Sequence, residues 1–140
     1  MDPLTVLTVL TGLVAGSTVL GLVIRARSGR VVASDGARDR QDAHLAIPGA
    51  EVTLLQLSSP VCSACGVMRR VAEELVADQP GLARHELDIT EHPALARLHN
   101  VLTTPTTLII DADGTVRARI VGAARPADVR AAVASVRAAA

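Results

Sequence analysis

Two thiols are the groups in this chain whose type and spacing point most directly to covalent chemistry. Cys62 and Cys65 are its only cysteines, and they stand as Cys62-Ser63-Ala64-Cys65. The apolar run Val52 to Leu57 precedes them, and a helical pattern follows from about Ala64. A strand that ends in a turn and enters a helix places the first cysteine at the helix N-terminus. Free backbone N–H groups and the helix dipole favour an anion there, so the Cys62 thiol is expected to titrate below its ordinary value of about 8.5. Two intervening residues let the second sulfur reach back and close a small disulfide ring. A disulfide scaffold needs more bridges than one, and a closed zinc site needs twice as many ligands. Redox chemistry is the economical reading of the pair.

Composition narrows the rest. The 140 residues leave room for one domain and a small extra element, and 49% hydrophobic content with 20% charge excludes a mainly disordered chain. The formal net charge is zero and Phe, Tyr and Trp are all absent. Nucleic acid therefore has neither an electrostatic footprint nor a stacking platform to bind, and is not expected as a partner. The core must be built from Leu, Val, Ile and Ala.

The elements that must position the thiols divide the chain at 4–24, 25–49 and 50–140. Leu4 to Ile24 carries no charge, and as a helix its length of roughly 30 Å matches the hydrocarbon core of a bilayer. Met1-Asp2-Pro3 offers no basic region, and Arg25, Arg27 and Arg30 follow the apolar stretch at once, which disfavours a cleaved signal peptide. A retained single span of the cell membrane is expected. Arg25, Arg27, Arg30, Arg38 and Arg40 lie after the span and none before it. The positive-inside rule then puts the following domain in the cytoplasm, with the opposite side as the alternative. Gly12 and Gly16 form a G-x-x-x-G on which a second span can pack as a weak homodimer. Residues 25–49 read as a polar linker, with a short helix near Gln41 to Ile47.

From residue 50 the pattern alternates. Strands are expected at Val52 to Leu57, Leu82 to Ile89, Thr106 to Asp111 and Val116 to Val121. Helices are expected at Cys65 to Asp78, at His92 to Leu98 with Pro93 in its first turn, and from Arg125-Pro126-Ala127-Asp128 onward. Asp113-Gly114 supplies a hairpin turn.

This order, with a Cys-x-x-Cys after its first strand, resembles the thioredoxin family over about residues 50–140. Thr104-Pro105-Thr106 matches the family's cis-proline loop, Asp113-Gly114 its hairpin turn, and Gly122 its glycine near the end of the last strand. Leu87-Asp88-Ile89 followed by Pro93 fits the strand and short-helix junction. The resemblance implies an α/β thioredoxin-like fold, a central mixed β-sheet flanked by helices, here preceded by one transmembrane helix. It implies a thiol–disulfide oxidoreductase of the protein-disulfide reductase kind. Cys62 would be the attacking thiolate and Cys65 the resolving thiol, with a redox-active disulfide between them. Thr104 and Pro105 would bind an extended substrate segment. Protein or small-thiol disulfides would be the substrates, a reducing partner would reset the pair, and no cofactor or metal is called for.

Several positions depart from the family. Val61 stands where tryptophan is usual, Gln56 where a buried aspartate assists the resolving thiol, and Glu86 where a buried lysine is usual. The family's first strand and helix have no clear counterpart in the linker. Two other readings stay open: a thioredoxin-like interaction module at the membrane that no longer catalyses, and a metal site joining the cysteines to His85, His92 or His99.

Overall fold

Strand β2 (Val52–Ser58) is buried at every residue, as a strand covered on both faces must be. The computed structural model describes residues 2–27, 29–33 and 43–139. In it β2 sits inside a five-stranded sheet of order β1-β5-β4-β2-β3, made with β1 (Arg30–Ala33), β3 (Leu82–Asp88), β4 (Thr106–Asp111) and β5 (Val116–Val121). β3 runs parallel to β2, which requires a crossover, and α2 (Cys65–Asp78) provides it. The other pairings are antiparallel. The fold is thioredoxin-like: a mixed sheet flanked by helices.

Successive strand side chains point to opposite faces, and the core divides accordingly. On one face Val52, Leu54, Ile109 and Ile120 pack with Met68 and Leu75 of α2 and with Val129 and Val133 of α4 (Pro126–Ala139). On the other, Leu55, Leu57, Leu108 and Ile110 pack with Leu45 and, at the edge, with Leu95 of α3 (Pro93–Leu98). Leu, Val, Ile and Ala fill both layers without an aromatic ring, and Met68 joins them in the first.

The β4–β5 hairpin is fixed by one carboxylate. Asp111 is 2% exposed. Its Oδ1 accepts the N–H groups of Asp113 (3.0 Å) and Thr115 (2.8 Å), and its Oδ2 accepts Nε of Arg117 (2.5 Å). Gly114 takes the positive φ of 81° that the turn demands. The register passes from Ile109–Ala118 to Ile110–Val116, so Arg117 lies in the bulge. Burial pushes the Asp111 carboxyl up, but the Arg117 hydrogen bond, the Thr115 amide and the Arg117 charge outweigh it and hold it below the usual carboxylate range.

At the N-terminus α1 (Pro3–Arg27) forms a 25-residue helix. Its Pro3–Val23 stretch is long and apolar enough to cross a membrane, and none of that window is buried against the domain. The hydroxyls of Thr8, Thr11, Ser17 and Thr18 donate back to helix carbonyls at 2.7–3.0 Å, which satisfies them without water.

The stretch read as polar linker differs in two places. Arg30–Ala33 is a strand at the sheet edge, paired antiparallel with β5. All four residues are exposed, so no burial periodicity marks them in the sequence; pairing with β5 and contact with α4 hold the strand. The family's first strand thus lacks a buried counterpart, but an edge strand is present. The short helix expected near Gln41 to Ile47 is a 3-10 turn at Ala43–Leu45, and Gln41 and Asp42 lie outside the described residues. The strand expected to end at Ile89 stops at Asp88.

Asp111→Ala removes the acceptor of three donors and is expected to cost about 2–4 kcal/mol of stability. Because its folded value is depressed, the contribution is complete above the unfolded aspartate value of about 3.9 and fades as pH falls through the folded one. Urea denaturation of the detergent-solubilised chain checks this. The gap between wild type and variant should be full at about pH 7 and should shrink at about pH 3.

Candidate functional site

The chain leaves β2 at Ser58 and turns twice before α2 begins. The N–H of Cys62 donates to the carbonyl of Ser59 (3.1 Å), and that of Cys65 to the carbonyl of Cys62 (3.3 Å). These turn bonds place the helix start at Cys65. Cys62, expected at the helix N-terminus itself, therefore precedes it by one turn. The two cysteines are joined in a disulfide with their Cα atoms 5.4 Å apart. Cys65 is 3% exposed and Cys62 is half-buried, so one sulfur faces an incoming group and the other is shielded.

The loop before β4 comes against this turn. The Thr104–Pro105 peptide is cis, Pro105 is buried and Thr104 half-buried. The hydroxyls of Ser59 and Thr104 share a hydrogen bond of 3.1 Å, which ties the cysteine loop to the proline loop. The carbonyl of Pro105 accepts the N–H of Gly122 (2.8 Å). That places Thr104 and Pro105 at the same end of the sheet as the cysteines. Val61, in the place of the family's tryptophan, is 93% exposed.

Beneath the disulfide lies a charged network. Gln56 and Glu86 are register partners on β2 and β3. Gln56 is 2% exposed, and its Nε2 donates to the carbonyl of Cys65 (3.1 Å) and to Oε1 of Glu86 (3.3 Å). Arg69 grips Glu86 with two hydrogen bonds, from Nε (2.7 Å) and from its terminal nitrogen (2.9 Å), and Arg84 adds one at 3.1 Å. The Arg69 hydrogen bond beats the cost of burial and holds the Glu86 carboxyl below its usual range. An open cleft of about 420 Å³ exposes this network beside the thiols, lined by Ser59, Cys62, Cys65, Arg69, Glu86 and Asp88 among others. A carboxylate thus stands one hydrogen bond beyond Gln56, across the strand pair from the position where the family keeps it.

Arg69 and Ser59 are the residues that the motifs left unmarked. Arg69 had a signal, since it follows Cys65 by one helical turn on the same face; Ser59 had none before the Thr104 contact was known. No histidine lines the cleft beside the thiols. His85 and His92 are exposed, and His99 is buried at the C-terminal end of α3. Among the described residues no group of three His, Cys, Asp or Glu side chains is placed to hold a metal ion.

The profile of a family described as a thioredoxin-like domain matches residues 40–137. The chain belongs to that family. Solved thioredoxins share its fold. A mutant thioredoxin from Halobacterium salinarum superposes with a TM-score of 0.56 at 25% identity, over 63% of this chain and 76% of that one. The oxidised mitochondrial thioredoxin 3 of Saccharomyces cerevisiae gives 0.55 at 21%, over 61% and 79%. The short form of spinach chloroplast thioredoxin F gives 0.55 at 22%, over 64% and 79%. No curated protein sequence matches the chain. With the Cys62–Cys65 disulfide, membership of this family supports thiol–disulfide redox chemistry.

Restoring the family's aspartate at position 56 is expected to harm this thioredoxin-like domain. Gln56→Asp puts a second carboxylate in a buried position beside Glu86, and the like charges and burial raise its folded pKa. At neutral pH the cost is on the order of 3 kcal/mol. A raised folded pKa means that the folded state binds the extra proton, so the variant should recover stability as pH is lowered, opposite in sign to wild type. Thermal or urea unfolding at about pH 7 and pH 5 distinguishes the two.

Proposed function

We propose that this protein is a membrane-tethered thiol–disulfide oxidoreductase that reduces disulfides in protein substrates. The observation that carries the reading is the asymmetry of the pair: Cys62 half-exposed at an open cleft, Cys65 buried behind it, and cis-Pro105 on an adjoining loop. In the reduced enzyme the Cys62 thiolate attacks one sulfur of the substrate disulfide. The other substrate sulfur leaves as a thiolate and takes a proton. Cys65 then attacks Cys62, the second substrate sulfur departs, and two electrons have passed from enzyme to substrate. A dithiol reductant resets the Cys62–Cys65 disulfide.

The backbone of Thr104 and Pro105 receives the substrate as an added extended segment. Gln56 cannot take the Cys65 proton; Glu86 is the carboxylate that the cleft presents instead, reached through Gln56. The α1 span anchors the domain, and the arginines that follow it favour the cytoplasmic side, where thiol pools keep the pair reduced. Gly12 and Gly16, where an added Cβ would meet open space, are the face on which a second span would pair.

The full chain in detergent, supplied with a dithiol, should reduce insulin disulfides. Cys62→Ser should fall to background, and Cys65→Ser should accumulate mixed disulfides through Cys62 in intact cells. Failure of Cys65→Ser to trap any substrate would sink the oxidoreductase reading. A cysteine-free reporter at the C-terminus checks the side: activity confined to the outside would reverse the orientation.

A further inference from the structure

The tether and the redox pair meet at one end of the sheet. Reading across the strands, Leu57 pairs with Thr106, Thr106 with Val121, and Val121 with Arg30. Leu57 and Thr106 are the residues from which the cysteine loop and the cis-proline loop spring. Arg30 is where the chain arrives from α1, which ends at Arg27. Only Ser28 and Gly29 intervene. The connection is also stiff on the domain side. The N–H of Gly29 donates to the carbonyl of Val121 (2.7 Å), and the next residue of that strand end, Gly122, donates to Pro105. Gly29 has φ of 76°, and a Cβ there would come within 2.8 Å of the Ala123 carbonyl oxygen. The polar stretch that follows β1 is not the tether, because the sheet is already joined before it begins.

Lengths set a limit on how far the site can move from the bilayer. Arg27 to Arg30 spans at most about 10 Å of chain. From β1 to β2 there are three strand spacings, about 14 Å. The helical residues between the apolar span and Arg27 add about 5 Å, so the end of β2 that carries the cysteine loop stays within roughly 30 Å of the end of the span in any orientation. A small folded domain is about 30 Å across, so it fits between site and membrane only at the full stretch of this connection, whereas an extended juxtamembrane segment fits readily. The two most exposed large apolar side chains of the domain among the described residues, Val61 at 93% and Leu102 at 84%, belong to the loops at this same end.

We propose that the Cys62–Cys65 pair faces the membrane surface and acts on disulfides of integral membrane proteins, in segments lying close against the bilayer. This rests on the membrane-tethered reduction reading above. The exchange is unchanged: two electrons pass from the dithiol to the substrate disulfide, and a soluble dithiol restores the pair.

Two measurements on the full chain in vesicles test it. In Cys65→Ser the thiol of Cys62 is the only one and takes a donor fluorophore; acceptors are placed on lipid headgroups. The reference carries Asp113→Cys, at the opposite end of β4, in a Cys62→Ser, Cys65→Ser background. Transfer should be clearly stronger from Cys62, since position 113 lies about 20 Å farther along the sheet. Equal or weaker transfer overturns the orientation.

The second probe is a single-span peptide whose cysteine, just outside its apolar segment, is disulfide-bonded to a fluorescent thiol. A companion peptide carries the same disulfide on a helical stalk of about 60 Å. Wild type should reduce the near disulfide about tenfold faster than the distant one. A 30-residue Gly/Ser insert between Ser28 and Gly29, of r.m.s. span about 30 Å, should erase that preference and leave reduction of the free, water-soluble disulfide unchanged. No preference in wild type, or a preference that survives the insert, overturns the proposal alone. Release of the protein from vesicles by alkaline carbonate overturns the tether and this proposal together. Failure on the water-soluble disulfide overturns the oxidoreductase reading instead.

Discussion

A single row of backbone pairings, Leu57 to Thr106 to Val121 to Arg30, crosses four strands at one end of the sheet. Each strand in that row hands over to something the site needs. β2 runs on into the cysteine loop, β4 begins from the cis-proline loop, β5 ends in Gly122, which holds the proline loop by its carbonyl, and β1 receives the chain from α1. Because strand side chains alternate, a slip of one residue between β2 and β4 would exchange the residues of the two core layers. The different packing of α2 and α4 on one face and of Leu45 and Leu95 on the other disfavours that slip. The hydrophobic core therefore sets the register, and the register sets which loops meet.

The same row places the charges. Parallel pairing puts Gln56 directly beside Glu86, and helix periodicity brings Arg69 over Glu86 from one turn beyond Cys65. Where family members pair a buried acid with a buried base, this chain pairs an amide with an acid and brings the cations in from the edge. Glu86 is tolerable because its partners grip it with hydrogen bonds and because Gln56 donates to it. Gln56 is in turn tolerable in a near-dry position because its amide donates to Cys65 as well. One hydrogen bond joins the two side chains, so a change at either bears on the other.

Much of this was legible in the sequence because it depends on local pattern. The buried run of β2, the amphipathic spacing of α2 and α4, the Asp113-Gly114 turn and the Thr-Pro step each announce themselves within a few residues. The cysteine pair is legible for the same reason, and the helix begins at Cys65 as its pattern indicates, with two successive turns setting Cys62 ahead of it. Strand β1 was not legible. Its four residues are exposed on both faces and carry no alternation, and what holds them is the open edge of β5, which lies almost ninety residues farther on. Arg69 is not legible because its partner is on another element, and Ser59 because a hydroxyl in a turn has many uses and only the Thr104 contact selects one.

The site has neither an aromatic shield nor a carboxylate directly beneath Cys65, and in a freely diffusing protein both losses would weigh on turnover. Under the tethered reading they weigh less. A span that hands its chain to the sheet two residues later confines the thiols to a thin layer, so that partners in the same membrane meet them at an effective concentration set by geometry and not by bulk amount. Affinity that an aromatic shield would supply can then come from proximity, with Val61 and the proline loop left to provide orientation. Such an arrangement narrows the substrate range as it raises the encounter rate. A disulfide that cannot approach the bilayer gains nothing from the anchor and meets a site with little affinity of its own, so the chemistry lost around Cys62 becomes a source of selectivity.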